Sequence, residues 1–165
     1  MKFDHPRFVL KGMVLVSLIM LVGLPTLSNA ASAQEKILNK DDADYIFSLT
    51  REEWEAYAKK MVHPQGWELR LSPHTTGTGV MAYDSQSGMG LAIQPLYGDY
   101  TNPPDMLIVS SFYPLGTLPN FTDEFKKSLE KEAMKDLGPH FSVSASYVKM
   151  SRLEGVRLKV TKKDK

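Results

Sequence analysis

The sequence predicts an α+β fold, in which a mainly antiparallel sheet of about five or six strands carries two principal helices. Three observations support this prediction. Two segments repeat apolar residues with the helical period, several others alternate apolar and polar residues as strands do, and short loops join consecutive strands. Because strands joined by short loops tend to pair antiparallel, the predicted order is α-β-β-β-β-α-β-β, with both helices on one face of the sheet.

The first principal helix is predicted over residues 51–62. Thr50 and Glu53 have the spacing of a capping box, in which each side chain binds the backbone N–H of the other residue. Apolar side chains then recur at helical spacing. The helix should end at His63, because proline follows it and pushes it out of the helical region. A single helical turn is expected earlier, around residues 45–47.

Four strands are predicted between the two helices. Residues 67–71 alternate apolar and charged side chains, which is typical of a half-buried strand. Residues 80–83 and 90–94 flank a segment with the composition of a hairpin loop. Residues 106–109 are continuously apolar, which is typical of a central strand covered on both faces.

The second principal helix is predicted over residues 123–137. The preceding threonine is a favourable N-cap, acidic residues occupy the first turn, and Gly138 followed by proline ends the helix. Two further strands, over residues 141–147 and 156–160, alternate apolar residues with serine or basic residues. Gly155 is expected to allow a turn or a bulge between these strands.

Residues 1–33 have the pattern of a secretory signal peptide. Basic residues precede an apolar run over residues 12–24, and small residues ending at Ala33 form a cleavage motif. The apolar run has 13 residues, fewer than the roughly 18 that a membrane-spanning helix needs. We therefore expect cleavage after Ala33 and export to the periplasm or the cell exterior. Cleavage after Ala30 and retention as an anchor are the alternatives.

Cleavage would leave residues 34–165, a length that suits one domain. We expect a lead-in over residues 34–49 and a single α+β domain over residues 50–165 with a basic C-terminal tail. The chain has no cysteine, which excludes disulfides and a lipid-modified cysteine. Three of its 20 Lys and Arg residues and one of its 19 Asp and Glu residues lie in the signal, so the remaining chain has a net charge of −1. A near-neutral charge argues against a nucleic-acid partner.

The sequence shows no established pattern of catalytic or metal-binding residues. Cysteine and the G-x-S-x-G elbow are absent, and the histidines form no metal-binding motif. Glycine pairs at residues 77–79 and 88–90 do not extend to a phosphate-binding loop. We therefore predict no catalytic residue, no metal site and no cofactor. An enzyme of an unfamiliar type would have to gather residues such as His74, Asp99 and His140 in a cleft.

Two groups of residues are candidates for a binding surface. The first is a proline-stiffened loop at residues 97–104, because exposed aromatic side chains lose little conformational entropy on binding. Its candidate residues are Tyr97, Asp99, Tyr100 and Asn102. The second is the basic C-terminal end, which could contact an anionic surface. Its candidate residues are Arg157, Lys159, Lys162 and Lys163.

Each candidate surface also has a structural alternative. The tyrosines of the loop could cover the edge of the core, and the lysines could keep an edge strand from pairing with another chain. We nevertheless predict a small exported, non-catalytic protein that binds a protein partner or an anionic component of the cell envelope, without a membrane span after cleavage. The alternative functions are the enzyme with a His/Asp cleft and a carrier of a small apolar ligand. The sequence makes no prediction of oligomeric state.

Overall fold

The computed structural model describes residues 38–61, 66–99 and 101–163, and it confirms the α+β prediction. The predicted signal peptide lies outside these residues. The helices of the described chain are α1 (Lys40–Ile46), α2 (Arg51–Ala58) and α3 (Asp123–Leu137). The strands are β1 (Glu68–Ser72), β2 (Gly79–Asp84), β3 (Met89–Leu96), β4 (Met106–Pro114), β5 (Phe141–Lys149) and β6 (Leu153–Lys162). None of the described helices has the length and apolar character needed to cross a membrane.

The six strands form one antiparallel sheet in the order β1-β2-β3-β4-β6-β5. Helix α3 carries the chain from the end of β4 to the far edge, where β5 forms, and β6 then returns to pair with β4. Glu130 of α3 reaches the free edge of β5, where its carboxylate accepts a hydrogen bond from the Ala145 N–H at 2.8 Å. This contact satisfies one backbone donor that an edge strand would otherwise expose.

The alternation of side chains gives the sheet two different faces. The main core cluster joins Ile46 of α1 and Trp54 of α2 to Leu107 of β4. A smaller cluster joins Leu129 of α3 to Val156 of β6. Leu107 and Val156 point to the same side of the sheet, which we call the helix-covered face. No helix among the described residues packs on the other side, which we call the open face.

Helix α2 begins as predicted but ends one turn early. Thr50 Oγ1 accepts the Glu53 N–H at 3.4 Å, and the Glu53 carboxylate accepts the Thr50 N–H at 2.8 Å, which completes the capping box. The helix ends at Ala58 because its last turn tightens: Lys60 and Met61 donate their N–H groups to carbonyls three residues back. Helix α3, in contrast, spans the predicted residues.

The segment predicted as a lead-in contributes to the core. Helix α1 is longer than the single expected turn, and a capping box between Asn39 and Asp42 starts it. Leu38, Ile46 and Phe47 are buried in the main core cluster. Residues 38–49 are therefore packed against the sheet.

Two details of the strand prediction are wrong. Strand β4 extends five residues past the predicted 106–109 segment, because two serines interrupt its apolar pattern without ending the strand. Gly155 lies inside β6, opposite Phe112, and forms neither a turn nor a bulge. A Cβ at this position would collide with the carbonyl oxygen of Ser111, so the close approach of two strands explains the glycine.

Candidate functional site

The loop at residues 97–104 is tied to the N-terminal end of α2. Tyr97 is buried, and its hydroxyl donates to the Thr50 carbonyl at 3.4 Å while its N–H donates to the Thr76 carbonyl at 2.8 Å. Burial first, and then the negative charges of two glutamates on α2, raise the pKa of Tyr97. This candidate residue therefore covers the edge of the core.

Asp99 and Asn102 are exposed in the same loop, but their polar groups bind each other. The Asp99 carboxylate accepts the Thr101 N–H at 3.1 Å and the Asn102 side-chain N–H at 3.4 Å. These bonds form a local turn of the kind that aspartate stabilises. Tyr100 lies outside the described residues. The geometry therefore gives this loop a structural explanation.

Lys162 points to the helix-covered face and is therefore separated from Arg157 and Lys159, which point to the open face. Its Nζ lies 3.4 Å from Asp44 Oδ1 and 5.5 Å from the centroid of the Phe47 ring. The aliphatic part of Lys162 thus covers the core next to α1 while its charge meets a carboxylate.

Arg157 and Lys159 point to the open face, where the residues of β6 alternate away from the core. Neither has an ion-pair partner among the described residues. The Nε of Arg157 is buried and has no hydrogen-bond partner there. Lys163, the fourth basic candidate, follows the end of β6, and its backbone N–H donates to the His140 carbonyl at 2.9 Å.

The open face carries apolar, small and polar side chains in adjacent cross-strand rows. Each row runs across the sheet from β2 or β3 to β5. The first row contains Tyr83, Gly90, Phe112, Gly155 and Val148. The second contains Met81, Ala92, Ser110, Arg157 and Ser146. The third contains Gln94, Ile108, Lys159 and Ser144.

Arg157 lies between Ser110 and Ser146 in these rows, and Lys159 lies between Ile108 and Ser144. Within the six strands, the acidic residue of this face is Glu68 on edge strand β1. It is already paired with Arg70, at 2.8 Å. The charge left over in the middle of the open face is positive.

The residues of the enzyme hypothesis lie at one end of the sheet but are not brought together. His74 follows β1, Asp99 follows β3 and His140 precedes β5, which hold the first, third and sixth places in the sheet. At about 4.8 Å per strand, roughly 10 Å separates His74 from Asp99, and roughly 14 Å separates Asp99 from His140. No hydrogen bond joins any two of them; His74 Nε2 lies 3.2 Å from Ser72 Oγ instead.

The part of the chain that the structure describes also contains no group of three histidine or acidic side chains that could hold a metal ion. His63 lies outside it.

Comparison with protein-family models, with curated proteins and with solved structures gave no match. Function must therefore be inferred from the chemistry of the chain's own surfaces.

Sequence reasoning missed a polar site around Glu154 on the helix-covered face. Its carboxylate accepts the Leu118 N–H at 2.7 Å and the Tyr147 hydroxyl at 2.8 Å. Burial alone would raise the pKa of Glu154, but hydrogen bonds from Leu118, Tyr147 and neighbouring backbone groups lower it. A signal was available, because Glu154 shares its face of β6 with the apolar Val156, Leu158 and Val160.

Proposed function

We propose that this protein is an exported, non-catalytic binding module that holds an acidic protein partner on the open face of its sheet. One observation carries the proposal: Arg157 and Lys159 have no ion-pair partner among the described residues and share, with the partly exposed Ile108, a face that no described helix covers. The carboxylates of an acidic partner would pair with these two cations, and its apolar side chains would pack on the apolar side chains of the open face.

The charge and shape of the Arg157 guanidinium favour an anionic partner. Arg157 is half-buried, and no ion pair joins it to another described residue. Planar carboxylates match the guanidinium geometry, so a carboxylate of the partner suits the part of this side chain that stays exposed. Lys159, two residues further along the same face, extends the positive area.

The dimensions of the open face suit a protein. Six strands at about 4.8 Å spacing and a mean strand length of about eight residues at about 3.3 Å each give a face of roughly 24 by 26 Å. The resulting area of roughly 600 Å² lies at the lower end of the roughly 600–1,000 Å² that each side of a standard protein interface buries. A carrier of a small ligand would instead be expected to use a concave pocket.

The test is recovery of partner proteins by the tagged full chain from its native envelope, followed by measurement of Kd with the recovered partner. The double variant Arg157→Gln/Lys159→Gln should weaken binding at least about tenfold, because it removes both cations from the interface. The matched control is Lys127→Gln/Lys131→Gln, which removes the same charge from the exposed side of α3. This control should bind as the wild type does.

Equal affinity of the wild type and the open-face variant would contradict the proposed surface. Recovery of an anionic lipid or glycolipid without any protein would contradict the proposed partner. The N-terminus of the native protein tests export separately: we expect Gln34 after cleavage, whereas an intact Met1 on cytosolic material would contradict it.

A further inference from the structure

A second apolar surface lies at one end of the sheet, away from the centre of the open face. It consists of residues 115–118 and 147–153, which we call the tip. Four large apolar side chains of the described residues are exposed by 40% or more, and three of them belong to the tip. They are Leu115 at 46%, Met150 at 44% and Tyr147 at 40% exposure.

Hydrogen bonds hold the two turns of the tip side by side. The Leu115 N–H donates to the Arg152 carbonyl at 3.2 Å, which places the turn after β4 against the β5–β6 hairpin. Within that hairpin, the Met150 N–H donates to the Leu153 carbonyl at 2.8 Å. Leu115 and Met150 therefore occupy adjacent turns at the edge of the sheet, and both side chains are exposed there.

Tyr147 supports this edge from the helix-covered side. Its hydroxyl donates to Glu154 at 2.8 Å, and its ring lies 6.0 Å from the Phe121 ring. The same Glu154 carboxylate accepts the Leu118 N–H. The tip is thus a fixed structure that rests on a bonded carboxylate.

Turn geometry does not require an apolar residue at position 115. Thr117 donates its N–H to the Pro114 carbonyl at 3.2 Å, so Leu115 and Gly116 are the central residues of a β-turn. Gly116 has φ of 86°, and a turn of this kind needs glycine at that place but accepts most residues before it. The fold therefore leaves the exposed leucine without a structural explanation.

The charged side chains within the two segments of the tip are positive. Lys149 and Arg152 are exposed in it, and neither of its two segments contains an acidic residue. Carboxylates also lie at the same end of the sheet. Glu154 accepts hydrogen bonds from Leu118 and Tyr147, and Asp84 accepts them from its own hairpin. Asp123 and Glu124 belong to the first turn of α3.

We infer that the tip contacts an anionic phospholipid bilayer, inserting Leu115 and Met150 at its surface while Lys149 and Arg152 meet the lipid phosphates. Interfacial binding requires apolar area for the boundary of the acyl chains and positive charge for anionic headgroups, and the tip provides both. This inference does not depend on the proposed protein partner. A molecule that rests on a membrane by its tip still presents its open face.

The test is co-sedimentation of the purified protein with vesicles of phosphatidylcholine alone and of phosphatidylcholine mixed with phosphatidylglycerol. The wild type should bind the anionic vesicles more tightly, and less so at high salt. Leu115→Ser/Met150→Ser should weaken this binding about tenfold or more, because it removes the inserted apolar area. Lys149→Gln/Arg152→Gln should weaken it by roughly fivefold per charge at low salt.

Matched controls make the tip specifically responsible. Leu71→Ser changes a leucine that is 40% exposed on β1, and Lys127→Gln/Lys131→Gln removes two charges from α3. Both controls should bind as the wild type does, and circular dichroism should show that every variant is folded.

Three results would overturn the inference. The first is a wild type that binds both kinds of vesicle equally. The second is unchanged binding by Leu115→Ser/Met150→Ser, or equal weakening by a control. The third is loss of binding in Arg157→Gln/Lys159→Gln but not in the tip variants, which would place the bilayer on the open face.

Discussion

Replacing Glu154 with glutamine should destabilise the protein in a pH-dependent way. The Glu154 side chain is buried, with 6% of the residue exposed, and its oxygens accept from the Leu118 N–H at 2.7 Å and the Tyr147 hydroxyl at 2.8 Å. Glutamine has nearly the same shape and keeps one acceptor oxygen. It loses the negative charge, however, and places an NH₂ group where the second oxygen accepted a hydrogen bond.

The expected magnitude follows from these two bonds. A hydrogen bond to a charged group contributes about 1.5–3 kcal/mol, and charge-assisted bonds are roughly twice as strong as neutral ones. We take about 1.5 kcal/mol for each bond, the lower end of that range, because the tip meets solvent. Halving the contribution of both bonds lowers the free energy of unfolding by about 1.5 kcal/mol. Urea unfolding followed by circular dichroism at about pH 7 measures this difference.

The pH dependence has a definite sign. Hydrogen bonds lower the pKa of Glu154 below its ordinary value of 4.5, in spite of the opposing effect of burial. Its contribution to stability is therefore complete above that pH and is lost as the pH falls through the lower pKa of the folded state. The difference between Glu154→Gln and the wild type should shrink progressively as the pH falls below 4.5. Equal stabilities at neutral pH, or a difference that persists undiminished in acid, would refute this reasoning.

Two further predictions concern packing and use the same urea titration. Trp54→Phe removes a fully buried indole N–H that donates to a loop carbonyl at 2.7 Å, and it should lower the free energy of unfolding by about 2–4 kcal/mol. Tyr97→Phe removes a hydrogen bond of 3.4 Å to a backbone carbonyl and should lower the free energy of unfolding by less than about 1 kcal/mol. Gly155→Ala should cost about 1–3 kcal/mol because its methyl group meets the Ser111 carbonyl oxygen. Gly90→Ala, whose methyl group would have neighbours at 3.5 Å or more, should be neutral or stabilising by up to about 1 kcal/mol. A reversed order within either pair would contradict the packing described above.

The parts of the fold that the sequence predicted best are those with local signals. Helix α3 could be predicted at both ends because its cap, its apolar stripe and Gly138 all lie within the segment itself. The end of α2 could not be predicted, because the tightening of its last turn does not change the spacing of the apolar residues. Strand β4 was predicted too short for a different reason: Ser110 and Ser111 look like a break, yet pairing with strands on both sides keeps them extended.

The candidate surfaces could be predicted only in part. Alternation along β6 places Arg157 and Lys159 on one side of the sheet and Lys162 on the other. The sequence does not show which side the helices cover, and it gives no sign that Lys162 meets Asp44 of α1. Such contacts join residues at opposite ends of the chain, so they depend on the completed sheet and not on any local pattern.

The partly exposed apolar side chains of the open face are not a requirement of the sheet. Strand β5 carries Ser142, Ser144 and Ser146 on that face and still pairs with β6 along its whole length. Polar side chains are thus compatible with strand pairing there, and the main core lies on the opposite side. Met81 and Ile108 on the inner strands leave apolar area in contact with water, which costs about 25 cal/mol for each Å² that stays uncovered. A partner that covers this area removes that cost, which is the physical reason for placing the proposed acidic protein on the open face.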